Sequence, residues 1–175
     1  MPAIPPEVQE YLSSKDALFR AQIMQRHPDL NQSLRDPSTR AALLEWLASD
    51  AARDPAQSGT VANTLEFLRI GATPTEAMTI RPFLLHPDPF VRLRAYEFLL
   101  TLYFPDKNRE AMLLLFHNML TDRDEAVRSL AVSYIERANA VAELRGVLET
   151  WLQTARQQGW ENTETLELVE RLLAA

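Results

Sequence analysis

Shifted by 36 residues, two stretches of the chain superimpose, and no other feature restricts its fold so closely. Phe83-Leu84, Asp88, Val91-Arg92, Ala95 and Phe98-Leu99 return as Met119-Leu120, Asp124, Val127-Arg128, Ala131 and Tyr134-Ile135. A period of this length fits a helical hairpin. Repeated hairpins bury their apolar faces against their neighbours rather than in one central core, which is the logic of a solenoid.

Helix punctuation marks where the hairpins begin and end. Gly71 closes one helix, and Thr73-Pro74-Thr75-Glu76 reads as a capping box with Pro at the first helical position. Asp88-Pro89 and Asp124-Glu125 open two more helices, each with an acidic cap. From Val141 the apolar residues Leu144, Leu148, Trp151 and Ala155 keep a helical period until Gly159, and Asn162 or Thr163 caps a last helix. No window alternates with period two, so no sheet is expected. The spacing predicts four hairpins, 38–51 with 59–70, 74–86 with 89–104, 106–120 with 124–138 and 141–158 with 163–174. A helical stretch at 6–27 caps one end. Glu167 stands where Ala131 and Ala95 stand in the inner repeats, as a solvated terminal face requires. Asp36-Pro37 through Leu47 also matches Asp88-Pro89 through Leu99, at an offset of 52 that breaks the period; 38–51 is therefore read as the first helix of a hairpin.

Composition removes several classes of function. With 46% hydrophobic residues the 175-residue chain can build a core, and with only 4 Gly it is poorly supplied for phosphate-binding turns. It has 0 Cys, so disulfides and thiolate metal sites are excluded. A net charge of −6 argues against a phosphate-binding surface. The first residues, Met-Pro-Ala-Ile-Pro-Pro, have neither the basic region nor the apolar run of a signal peptide. No apolar stretch is long enough to span a bilayer. A soluble, cytoplasmic protein without cofactor is the expectation.

The repeated residues resemble the HEAT-repeat family. Its second helix typically opens with Asp-x-x-Val-Arg, places Ala four residues after that Val and follows with a bulky apolar pair. Asp88, Val91-Arg92 and Ala95 fit this pattern, as do Asp124, Val127-Arg128 and Ala131. In the family an Asp five residues before the Val often bonds an Arg of the adjacent repeat. Asp122 holds that position in one repeat, and His86 replaces it in the other. First helices of the family are often kinked, as Pro82 would kink 74–86. The resemblance implies an all-α, right-handed α-α superhelix: a short solenoid of about four hairpins (38–174) behind an N-terminal cap (1–37), forming one domain over 1–175. It further implies that second helices line a concave side that binds partner proteins.

Motifs of chemistry are scarce. His27-Pro28-Asp29 and His86-Pro87-Asp88 repeat the tripeptide of J-domain co-chaperones, but two copies at helix ends are better read as a Pro stop followed by an Asp cap. His117 has no acidic residue at i+3 or i+4, and no helical metal-ligand spacing, nucleophile elbow or dinucleotide fingerprint is present. Catalytic and metal-binding residues are therefore not assigned. The helix 89–104 carries a sharper signal. Its core stripe is Val91, Ala95, Phe98, Leu99 and Leu102, yet the opposite arc, Leu93, Tyr96, Glu97 and Leu100, is also mostly apolar. A helix apolar all round is either covered on every side or presents a binding surface.

The expectation is that Leu93, Tyr96 and Leu100 form the apolar centre of a partner-protein site. Arg94, Glu97, Arg128 and Val132 would lie around it. The chain would then be a non-enzymatic scaffold. Two alternatives are a HEAT-like nucleic-acid binder of the DNA-glycosylase type, using Arg92, Arg94, Arg128 and Tyr96, and an accessory lyase or maturation factor.

Overall fold

The computed structural model describes residues 4–14, 16–104, 107–159 and 163–174, and every regular element among them is helical. The expected helix start at 106 and the candidate cap Asn162 lie outside the described residues. The chain divides into two compact units, Met1–Thr101 and Leu102–Ala175.

The first unit opens with α1 (Pro6–Ser13), α2 (Ala17–Arg26) and α3 (Leu30–Arg35). Then come α4 (Pro37–Ala48), α5 (Ser58–Arg69), the short α6 (Ala77–Ile80) and α7 (Pro89–Tyr103). The expected caps are in place. Asp36 accepts the N–H groups of Ser38 and Thr39 at 2.9 and 3.1 Å, and Asp88 accepts that of Phe90 at 2.8 Å. Gly71 leaves the region after α5 with φ of 76°, a conformation that costs glycine little. Helix α5 is the centre of this unit and packs on α1 and α4. Val61, Leu65 and Leu68 of α5, Leu43 and Leu47 of α4 and Val8 and Leu12 of α1 are all buried. Asn63 of α5 donates to the carbonyls of Leu12 and Ser14 at 2.7 and 3.0 Å, closing the last turn of α1.

The second unit contains α8 (Arg109–Leu120), α9 (Glu125–Arg137), α10 (Val141–Gln157) and α11 (Glu164–Ala174). Helix α8 pairs with α9 and α10 with α11, while α9 lies on α11 and α8 on α10. Two stacked hairpins satisfy this pattern. Phe116, Val127, Ile135, Leu148 and Val169 fill the space between them. Thr163 caps α11 through Leu166 N–H at 3.4 Å, and the Glu125 carboxylate at the start of α9 accepts both the N–H and the hydroxyl of Thr165 at 2.8 Å. Glu167 is exposed.

One device recurs in both units. Arg40, early in α4, donates to the carbonyls of Leu68 and Ile70 at the end of α5, at 2.7 and 3.0 Å. It also forms a two-pronged pair with Glu76 at 2.7 Å on both arms. Arg109, first residue of α8, donates to the carbonyls of Ala138 and Asn139 after α9 and pairs with Glu143 at 2.6 Å. Glu76 and Glu143 each stand three residues after an N-cap position, Thr73 and Ala140. Arg145 of α10 repeats the first half of the device on the Leu173 carbonyl at 3.3 Å. A cation at the carbonyl end of a helix answers both the unpaired acceptors and the macrodipole. Arg40 in α4 thus makes the same kind of contacts that Arg109 makes in α8.

Two changes test this arrangement. Ala95 and Ala131 are fully buried, so Ala95→Glu or Ala131→Glu should destabilise the chain by about 3 kcal/mol or more, read as a collapse of the thermal melt. Burial alone would raise the Glu76 carboxyl, but the Arg40 hydrogen bonds, the Thr73 N–H and the Arg40 charge outweigh it, and its pKa falls below the ordinary range. The stability this adds is present above about pH 4.3, the unfolded value, and is lost as pH falls through the lower folded value. Glu76→Gln should cost about 2 kcal/mol at neutral pH and flatten the acid limb of Tm against pH.

Candidate functional site

Pro82 has no N–H to give the Met78 carbonyl, so the expected helix 74–86 is built in pieces. Pro74–Glu76 is a 3₁₀ turn, α6 supplies one α-helical turn, and Arg81–Leu85 is 3₁₀ again. Thr73 N–H reaches the Glu76 carboxylate at 2.8 Å, the reciprocal bond of the expected capping box. Ala77, Ile80 and Phe83 point into the core. Met78 and Leu85 face solvent, with 74% and 88% of their surfaces exposed. Beside them is a cavity of about 420 Å³, walled by Leu47 at the end of α4 and by Met78, Pro82, Phe83 and Leu85. Two residues that can carry charge line it, Arg53 and His86.

His86 is 6% exposed. Its Nδ1 accepts the N–H of Asp88 at 3.1 Å, so the neutral ring carries its proton on Nε2. Nε2 is buried and has no hydrogen-bond partner. Burial holds the imidazole below the ordinary histidine range; the Asp88 carboxylate opposes this, and the Arg92 cation adds to it. One repeat later Asp122 does the same structural job, its carboxylate accepting the Asp124 N–H at 2.9 Å. Arg92 donates to the His86 carbonyl at 2.9 Å, and Arg128 to the Asp122 carbonyl at 2.7 Å. The turn therefore needs an acceptor at this position, and Asp is sufficient.

The residues expected to form a partner site on α7 and α9 are placed differently. Tyr96 is 4% exposed, and Leu100 and Val132 are fully buried, so the apolar centre proposed from the sequence is core. Leu93 is half-buried. Arg94 pairs with Glu97 at 2.7 Å and Glu66 at 3.4 Å and lies over the Phe90 ring at 4.8 Å. Arg128 is 5% exposed, held by the Asp122 carbonyl and by Glu125. Tyr96 and Leu100 on the outer arc of α7 are thus covered as well as its core stripe. The cavity beside α6 went unread, although Pro82 and the replacement of Asp by His at position 86 were visible signals of an irregular repeat.

Among the described residues no group of three or more His, Cys, Asp or Glu could hold a metal ion, and no helix is long and apolar enough to cross a membrane. Compared with protein-family models, curated proteins and solved structures, the chain matches none.

The comparison of the two turns gives a direct test. His86→Asp should leave Tm within about 2 °C, since the Asp88 N–H keeps an acceptor. His86→Ala should cost about 1 kcal/mol by leaving that N–H unpaired. Equal loss in both variants would show that the ring itself holds the turn.

Proposed function

We propose that the chain is a non-enzymatic HEAT-like scaffold of the cytoplasm, a right-handed stack of helical hairpins that binds a partner protein. The expected binding face moves from the second helices to the broken first helix, residues 74–87. The observation carrying this reading is the exposure of Met78 and Leu85 beside an open cavity with an apolar wall. Exposed large apolar side chains clustered at a concavity mark interaction sites more often than chance exposure does. Arg81, exposed between them, makes no hydrogen bond or ion pair among the described residues. Arg is among the residue types enriched at interfaces.

The nucleic-acid alternative draws less support. Arg92 and Arg128 are buried with their guanidinium groups on turn carbonyls, Arg94 is held by two glutamates, and Tyr96 is in the core.

The test is affinity capture with the wild-type chain and a Met78→Glu/Leu85→Glu variant. Both side chains are exposed, so the variant should melt with the wild type, within about 0.5 kcal/mol per site. A partner held by the wild type should be lost by the variant. A partner retained equally by both would remove this face from the interface.

A further inference from the structure

We infer that His86 makes the turn before α7 a pH-sensitive latch: protonation of its ring opens residues 83–88, where the broken helix meets α7. This is a property of the turn itself and stands whether or not a partner docks on the broken helix. The latch is one hydrogen bond. The Asp88 N–H donates to His86 Nδ1 at 3.1 Å, a bond that only the neutral ring can accept. A proton on Nδ1 would set N–H against N–H across that distance. The other ring N–H, on Nε2, is already buried without an acceptor. The imidazolium would therefore hold two donors and no acceptor at a position only 6% exposed. Its aromatic neighbour is the core residue Phe83, 6.4 Å away between ring centroids.

The charged groups around the ring do not provide for a second proton. The Asp88 carboxylate is the anion acting on it, and its Oδ1 accepts the Phe90 N–H at 2.8 Å as the cap of α7. Arg92, in the first turn of α7, donates to the His86 and Pro87 carbonyls at 2.9 and 3.0 Å and places a cation on the same turn. From the 3₁₀ turn Asp50–Arg53 that follows α4, Arg53 lines the cavity that His86 also lines, and it pairs with Asp50 at 2.6 Å. On the broken helix Arg81 is exposed, while α4 and α6 bring only Leu47, Ala48, Met78 and Thr79 to that cavity. Burial and the Arg92 charge hold the ring below the ordinary histidine range against the pull of Asp88. A histidine with a depressed folded value binds its proton more readily once the turn is open. The closed turn therefore loses ground as pH falls below about 6.5, the unhindered value, by up to about tenfold per pH unit, and the loss levels off below the folded value. One repeat later Asp122 holds the Asp124 N–H through a carboxylate, a group that ordinarily keeps its charge down to about pH 4. That turn should not respond.

The test is amide hydrogen exchange on the full chain between about pH 7.5 and 5.5, each rate divided by its intrinsic value, with the His86 ring titrated by NMR in parallel. The amides to follow are Asp88, bonded to His86 Nδ1, and His86, bonded to the Phe83 carbonyl at 3.2 Å. Their opening should rise by about tenfold over that span, while that of the Asp124 amide stays within about twofold. His86→Asp should remove the response at Asp88 and leave the melt at neutral pH in place. Constant protection at Asp88 while the ring titrates would show the imidazolium accepted by the Asp88 carboxylate within a closed turn, and would overturn the inference. An equal acid response at Asp124, or in the His86→Asp chain, would mark general loosening and overturn it likewise. If capture through Met78 and Leu85 fails while the Asp88 amide still opens with acid, the binding reading falls and the latch stands.

Discussion

Two hairpins can stack only if the carbonyl end of one helix is sealed where the next helix begins, and here arginine does the sealing. A helix end exposes up to four acceptors, and burying them unpaired would cost more than packing returns. Arg40 and Arg109 each answer two of those acceptors while gripping the first-turn glutamate of the following helix. One side chain thereby fixes three things at once: the closure of the hairpin, the end of its second helix and the start of the next one. Lysine could not reproduce this, because the contacts require a planar fork of donors. Spacings of 36 residues from Arg40 to Glu76 and 34 from Arg109 to Glu143 follow from the length of one hairpin.

Much of the helical plan was legible in the sequence because caps act locally. Asp36, Asp88 and Asp124 bond N–H groups two or three residues on, so their meaning survives without tertiary knowledge. Gly71 and Gly159 were readable for the same reason, each with positive φ where a helix ends. The site was not legible, and geometry explains why. An α-helix turns about 100° per residue and a 3₁₀ helix about 120°. Over Arg81–Leu85 the difference accumulates to about 80°, enough to change which residues of the segment share a face. A sequence reading that assumes one period throughout misplaces the faces of such a segment. On α7 the opposite error arose: apolar residues on both arcs looked like a surface awaiting a partner, but Tyr96 and Leu100 were already covered. Periodicity reports which residues avoid water, not which neighbour removes it.

The two repeat turns are a natural comparison within one chain. They share the acceptor at the turn, the Arg that reaches back to its carbonyl and the acidic cap two residues on. They differ in that one acceptor is a carboxylate and the other an imidazole. The imidazole leaves a buried N–H over, and the first helix beside it is broken by proline. The irregular repeat also carries two exposed apolar residues, Met78 and Leu85, on its broken first helix.

The use of arginine inside the fold has a consequence at long range. Guanidinium groups at helix ends and turns are fixed by short contacts, so the distant field of the chain follows its net charge of −6. An acidic segment approaching from solution meets repulsion until it is within about 8 Å, the screening length at physiological salt. Inside that distance Arg53 and Arg81 are the exposed cations of this face. Contact with this surface would be selected at short range, with no electrostatic funnel drawing acidic chains in from a distance.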